Sequence, residues 1–158
     1  MRVNLRALLL IGVAAGGVMA CGPHRIAGTN IIDNSETRAI LDVIERYRVA
    51  MEQRNADLII QLTAPNFRDS AGTTTHEDDM DAQTLPEKLP ARLAKLDDVH
   101  LELQIRKIEA KGDVADVVYN YTVNFRMPSF GNKPQSEIGI KQMSLERLRG
   151  KWKIVSGI

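Results

Sequence analysis

Seven consecutive odd-numbered positions, Ala115, Val117, Tyr119, Tyr121, Val123, Phe125 and Met127, carry no charge, while Asp116, Asn120, Thr122, Asn124 and Arg126 stand between them. Successive side chains of an extended chain point to opposite faces, so this pattern is a long strand with one apolar and one wetter face. Such a strand is not stable alone. It needs strands beside it and a further layer over its apolar side. Pro128 ends it, because proline cannot donate to a ladder.

The neighbouring sequence supplies partners. Val99, Leu101, Leu103 and Ile105 alternate with His100, Glu102, Gln104 and Arg106. The apolar phase then moves to Ile108 and Ala110, which predicts a bulge at Arg106-Lys107 that bends the sheet. Lys111-Gly112-Asp113 reads as a hairpin turn. Beyond Gly131 and Pro134, Ile138, Ile140, Met143 and Leu145 form a third strand, with a second phase slip expected near Lys141-Gln142. Arg149-Gly150-Lys151 turns the chain into a last strand with Trp152, Ile154 and Val155.

The covering layer precedes the strands. Ile40, Val43, Ile44, Tyr47 and Met51 recur at helical spacing, with Arg38, Asp42, Glu45, Arg46 and Arg48 on other faces. Asp33 or Asn34 can cap this helix, and Asp33 with Glu36 has capping-box spacing. Asn55 is placed to cap a second helix through Leu58, Ile59, Ile60 and Leu62, stopping before Pro65. Residues 66–86 read as irregular, with Phe67 as a core anchor. A third helix is expected from Pro86 or Glu87 to Lys95, with Leu89, Leu93 and Leu96 inward despite Pro90. Two or three helices followed by a curved four-stranded antiparallel meander make an α+β domain over residues 33–158.

The chain ahead of this domain has a different character. Arg2 and Arg6 precede an uncharged run from Ala7 to Ala20, 14 residues against about 20 for a membrane-crossing helix. This is the layout of a secretory signal peptide, residues 1–20. Val18-Met19-Ala20-Cys21 resembles the bacterial lipobox, which implies cleavage before Cys21, a diacylglyceryl thioether on its thiol and acylation of the new amino group. One acyl chain anchors only marginally, at about 0.8 kcal/mol per buried CH₂, whereas two or more hold. Gly22 follows the cysteine where an aspartate would favour retention in the inner membrane, so the outer membrane is the expected address. Residues 21–32, with Gly22, Pro23, Gly28, Thr29 and Asn30, read as a flexible tether.

Removing residues 1–20 from the 158 leaves 138, one domain's worth. Basic and acidic groups nearly balance, 21 against 20 in the whole chain, and no basic stripe is interleaved with aromatics, which argues against nucleic acid as a partner. Cys21 is the single cysteine, so the domain has no disulfide and no thiolate metal site. Glu77, Asp78, Asp79 and Asp81 beside His76 form an acidic cluster without calcium-loop or zinc-ligand spacing, and we expect no metal and no cofactor.

The order of elements, the start Ala39-Ile40-Leu41-Asp42-Val43-Ile44-Glu45-Arg46-Tyr47, the Asn55-Ala56-Asp57 break and the closing Leu148-Arg149-Gly150-Lys151-Trp152-Lys153-Ile154-Val155 resemble the nuclear transport factor 2-like (SnoaL-like) superfamily. The resemblance covers about residues 35–158 and implies a cone-shaped, cystatin-like fold. Enzymes of that superfamily, such as ketosteroid isomerases and polyketide cyclases, move protons inside the cone with a carboxylate or a His–Asp pair; other members bind without catalysis. Many dimerise through the outer sheet face, where Val114, Val118 and Thr122 fall here.

The residues that can face a cone are Tyr47, Phe67, Asp69, Tyr119, Tyr121, Phe125 and Trp152. Asp69 is the carboxylate nearest the rim, and Tyr119 or Tyr121 could donate to a developing oxyanion. Asp69 also precedes Ser70 and Gly72, where aspartate commonly stabilises a turn. No second acid-base group accompanies it. Three readings stay open: a lipid-anchored, non-catalytic domain that binds a small apolar ligand or a protein; an acid-base enzyme acting through Asp69 and a tyrosine; and a structural lipoprotein with a filled cone. A ligand site requires a cavity of at least about 300 Å³.

Overall fold

The strand predicted from the odd-numbered alternation is the second of a four-stranded antiparallel meander. The computed structural model describes residues 24–70 and 79–158. Helix α1 (Ser35–Glu52) and helix α2 (Ala56–Leu62) come first, then two-residue strands β1 (Arg68–Asp69) and β2 (Met80–Asp81), and helix α3 (Leu85–Leu93). The long strands β3 (Asp97–Lys111), β4 (Val114–Arg126), β5 (Pro134–Leu148) and β6 (Lys151–Ser156) pair in chain order. This is the α+β plan expected, helices on one face of the sheet.

Leu101, Ala115, Val117, Tyr119, Met143, Leu145, Trp152 and Ile154 of the sheet are buried. They meet Ile40, Val43, Ile44, Tyr47 and Ala50 of α1 and Ile59 and Leu62 of α2 in a single core. Side chains four and three residues apart share one helix face, which is why α1 presents this stripe to the sheet. The β3–β4 ladder shifts register between Ile105 and Lys107, where the phase of β3 predicts a bulge. The bulge turns Ile108 and Ala110 back toward the core side.

Arg147 of β5 fastens the two layers together. Its Nη2 reaches Glu36 in the first turn of α1 and donates to the Gly112 carbonyl at 2.7 Å. Its guanidinium carbon lies 4.7 Å from the centre of the Trp152 ring, a cation–π contact. At the far end of α1, Glu52 accepts the backbone N–H of Leu101 at 3.0 Å. Arg48 pairs with Glu52 at 2.7 Å and His100 Nδ1 with it at 3.0 Å.

The structure corrects several expectations. Asn34, not Asp33, caps α1, and Thr37 completes the box: Asn34 Oδ1 accepts the Thr37 N–H at 2.8 Å, and Thr37 Oγ1 accepts the Asn34 N–H at 3.1 Å. Asp33 instead pairs with Arg38. Residues 66–86 are not wholly irregular, since β1 and β2 pair within them. Asp81 Oδ1 accepts the N–H groups of Gln83 and Thr84, at 3.0 and 2.8 Å, and so shapes the entry to α3. The described part of the expected tether is folded: Arg25 and Ile32 form an antiparallel bridge and Ile31 is buried.

The largest difference concerns β5. Its register against β4 is continuous, with no slip at Lys141-Gln142. Ile138 and Ile140 therefore lie on the outer face, 75% and 71% exposed, and Glu137, Gly139 and Lys141 take the inner positions. No helix among the described residues is long and apolar enough to cross a membrane. Cys21, residues 1–20, His76, Glu77 and Asp78 lie outside the described residues.

Candidate functional site

Between the inner face of the sheet, the C-terminal half of α1 and helix α3 lies a cavity of about 550 Å³, above the size a small-molecule site needs. Leu101 and Leu103 of β3, Val123, Phe125 and Met127 beyond β4's core, and Leu89 and Leu93 of α3 form apolar walls. Ala115, Val117 and Tyr119 are buried in the core, whereas the inner side chains from Tyr121 onward are only partly covered.

At one side of the cavity Asp69, Tyr47 and Tyr119 come together with the tail that follows β6. Asp69, on β1, is 9% exposed. Its Oδ2 accepts the backbone N–H of Gly157 at 3.0 Å and of Ile158 at 2.8 Å. Tyr119 Oη donates to the Gly157 carbonyl at 2.8 Å. One carboxylate and one phenol thus satisfy three backbone groups of a segment that has no strand partner for them. Gly157 takes φ +87°, and a Cβ there would fall 2.0 Å from the Gln142 carbonyl oxygen, so the tail can lie this close only with glycine at that position.

Burial pushes the Tyr47 and Tyr119 phenols well above the ordinary tyrosine range; the Asp69 carboxylate adds to both, and Tyr119 adds to Tyr47. Both remain protonated donors at any physiological pH. Tyr121 is pushed up to about 12, first by its hydrogen bond to Glu137, whose Oε1 accepts at 2.6 Å, then by burial. The Tyr121 ring lies against Gly139, where an added Cβ would stand 2.8 Å from Cε1. Lys141 Nζ donates to the main-chain oxygen of Ile158 at 2.9 Å and sits 5.6 Å from the Tyr121 ring centre.

Of the residues picked from sequence, Tyr47, Asp69, Tyr119, Tyr121 and Phe125 line the cavity. Phe67 and Trp152 do not line it; they pack in the core, 1% and 5% exposed, Trp152 beneath Arg147. Sequence reasoning missed Met51, Leu89, Arg92, Lys95, Glu137, Lys141 and Ile158 as wall residues. The charged residue pair Glu137 and Lys141, two places either side of Gly139, was the available signal: charges on the inward phase of a strand mark a surface that faces space. His100, on the polar phase of β3, pairs with Glu52 at the end of α1. Among the described residues no group of three metal-ligating side chains converges.

No family sequence model and no curated protein sequence matches the chain. Solved structures do. A nuclear transport factor 2-like superfamily protein from Salmonella enterica superposes with a TM-score of 0.65 at 16% identity, over 78% of this chain and 90% of that one. A type 2 hexachlorocyclohexane dehydrochlorinase superposes with a TM-score of 0.66 at 11% identity, covering 77% of this chain and 82% of its own. A dehydratase candidate of the same family from Streptomyces avermitilis gives 0.64 at 12% identity, over 77% and 92%. The fold is therefore nuclear transport factor 2-like. At these identities the likeness carries fold and nothing finer.

Proposed function

We propose that this chain is a lipid-anchored cell-envelope protein whose cone binds a small apolar ligand without transforming it. The observation that carries the binding reading is the 550 Å³ cavity with leucine, valine, methionine and phenylalanine walls. A filled cone would have argued for a structural role; the space argues against it. The groups suited to acid-base work are engaged elsewhere. Asp69 Oδ2 holds two tail amides and the Tyr119 proton is directed at Gly157, so both serve the closure of the cavity wall.

The anchoring part of the proposal rests on the lipobox-like run ending in Cys21 and the short uncharged segment before it. The expected place is the outer membrane. The apolar Ile138 and Ile140, beside Thr122 and with Val114 and Val118 further along the same outer face, supply a self-complementary patch for a second copy of the chain.

A second reading is an acid-base enzyme of the dehydratase or isomerase kind, favoured by the meeting of Asp69, Tyr47 and Tyr119 in a largely apolar cavity. One experiment separates them. Protein purified from its native envelope is extracted with organic solvent, and any released compound is added back to fresh protein. Binding without conversion is the expected result; a recovered product, abolished by Asp69→Asn, would establish the enzyme instead.

A further inference from the structure

Five charged side chains line the cavity among the described residues, and they are not equally occupied. The two carboxylates are engaged: Asp69 by the amides of Gly157 and Ile158, and Glu137 by the Tyr121 hydroxyl. Of the three cations, Lys141 is held by the main-chain oxygen of Ile158 at 2.9 Å. Arg92 and Lys95, in the last turn of α3 and just after it, are exposed and have no ion-pair partner among the described residues. The carbonyls at that helix end are already taken: Pro90, Arg92 and Leu93 accept the N–H groups of Ala94, Lys95 and Leu96, and the Leu96 carbonyl accepts from Arg54. Neither cation is therefore needed to satisfy the helix terminus.

Resting on the reading of the cavity as a ligand site, we infer that its ligand is a single-chain anionic amphiphile. The chain lies along the apolar walls and the carboxylate or phosphate head meets Arg92 and Lys95. The apolar walls offer no hydrogen-bonding partners and the Tyr119 and Tyr121 hydroxyls already donate to Gly157 and Glu137, which leaves Tyr47 and the charged residues to recognise a head group. A cationic head at the α3 side would stand against Arg92 and Lys95. An uncharged head would leave Arg92 and Lys95 unused. Tyr47, buried and protonated, and Asp69 lie on the cavity's interior wall, where an anionic head would be repelled by the carboxylate. The head accordingly sits at the α3 side and the tail runs inward past Leu89, Leu93 and Leu101.

Met51, Met80 and Met127 line the same cavity and give residue-specific reporters. Full-chain protein, kept in solution with an uncharged amphipol and labelled with ¹³C at the methionine methyls, is titrated with decanoate, decyl phosphate and decanol. The expected result is that both anions shift these methyl signals at least about ten-fold more tightly than decanol, and that each added methylene tightens binding about four-fold until the cavity is full. Arg92→Gln with Lys95→Gln should remove the preference for the anions and leave decanol within about two-fold of its wild-type affinity. The charge-keeping pair Arg92→Lys with Lys95→Arg should retain it. A stronger response to decanoate or to decyl phosphate tells whether the source is a free acid or a phosphorylated lipid. Equal affinity for decanol and both anions would overturn the head-group inference while leaving the cavity as an apolar site. Absence of any shift with all three would overturn the ligand-site reading itself.

Discussion

Asp69 and Gly157 stand 88 residues apart in the chain and 3.0 Å apart in the fold, carboxylate oxygen to backbone nitrogen. That contact decides what the end of β6 does after its ladder stops. It turns the tail across the cavity wall, where Tyr119 and Lys141 donate to its main-chain oxygens. Hydrogen bonds to a charged acceptor are each worth about 1.5–3 kcal/mol net. Asp69→Ala should therefore lower stability by about 2–4 kcal/mol, read from the urea midpoint. Gly157→Ala should detach the same tail, and a double-mutant cycle of the two should be strongly non-additive. Additive effects would mean that Asp69 acts elsewhere.

The buried phenols set the alkaline limit. Tyr47 and Tyr119 keep their protons far above the pH at which an unfolded chain releases them, near 10. Above that pH the unfolded state binds fewer protons than the folded one, so stability falls as pH rises. Below it the contribution is complete. Tyr47→Phe should flatten the decline in urea stability between pH 10 and 11 while costing little at pH 7, because the Tyr47 hydroxyl makes no hydrogen bond among the described residues. An unchanged slope would count against its burial.

Glu52 sets the acid limit, with the opposite sign. The Leu101 N–H holds its carboxyl below the ordinary glutamate range; burial opposes that, and Arg48 and His100 add to the lowering. Its contribution is present above about pH 4.3 and is lost as pH falls through the lowered value. Glu52→Gln keeps the acceptor for Leu101 but loses the charge pairing. It should cost about 0.5–1 kcal/mol at pH 7 and shrink the difference from wild type below pH 4, as followed by acid titration of the unfolding midpoint.

Much of this fold is legible in the order of its residues. The alternation along β4, the shift at Arg106 and the stripe from Ile40 to Tyr47 each follow from a single local period, and the fold keeps all three. The misreading of β5 came from the assumption that apolar residues mark the buried face. Ile138 and Ile140 face outward and Glu137 and Lys141 inward, because the inner face here borders a cavity and not packed side chains. Asp69 was visible as a candidate, but its tie to Gly157 is a contact between distant segments that no periodicity encodes. β1 and β2, at two residues each, are too short to leave a pattern.

The outer face gives a prediction of its own. Among the described residues, Ile138 and Ile140 expose most of their surface on the outer face of the sheet. Lys substitution at both should leave the fold intact, since neither side chain packs in the core, and should shift a dimer to a monomer in sedimentation velocity. Identical sedimentation of wild type and variant would remove this face from the assembly.

The measurement that bears most directly on the account is the binding of an uncharged fluorescent hydrocarbon probe, N-phenyl-1-naphthylamine, to the wild-type protein and to Val123→Trp. Val123 lines the cavity and is only partly buried, so an indole there fills empty space without displacing the core. The expected result is one probe per wild-type chain, at least about ten-fold weaker binding to Val123→Trp, and a melting temperature no lower than wild type. Equal binding by both proteins, or none by the wild type, would contradict a ligand-taking cone.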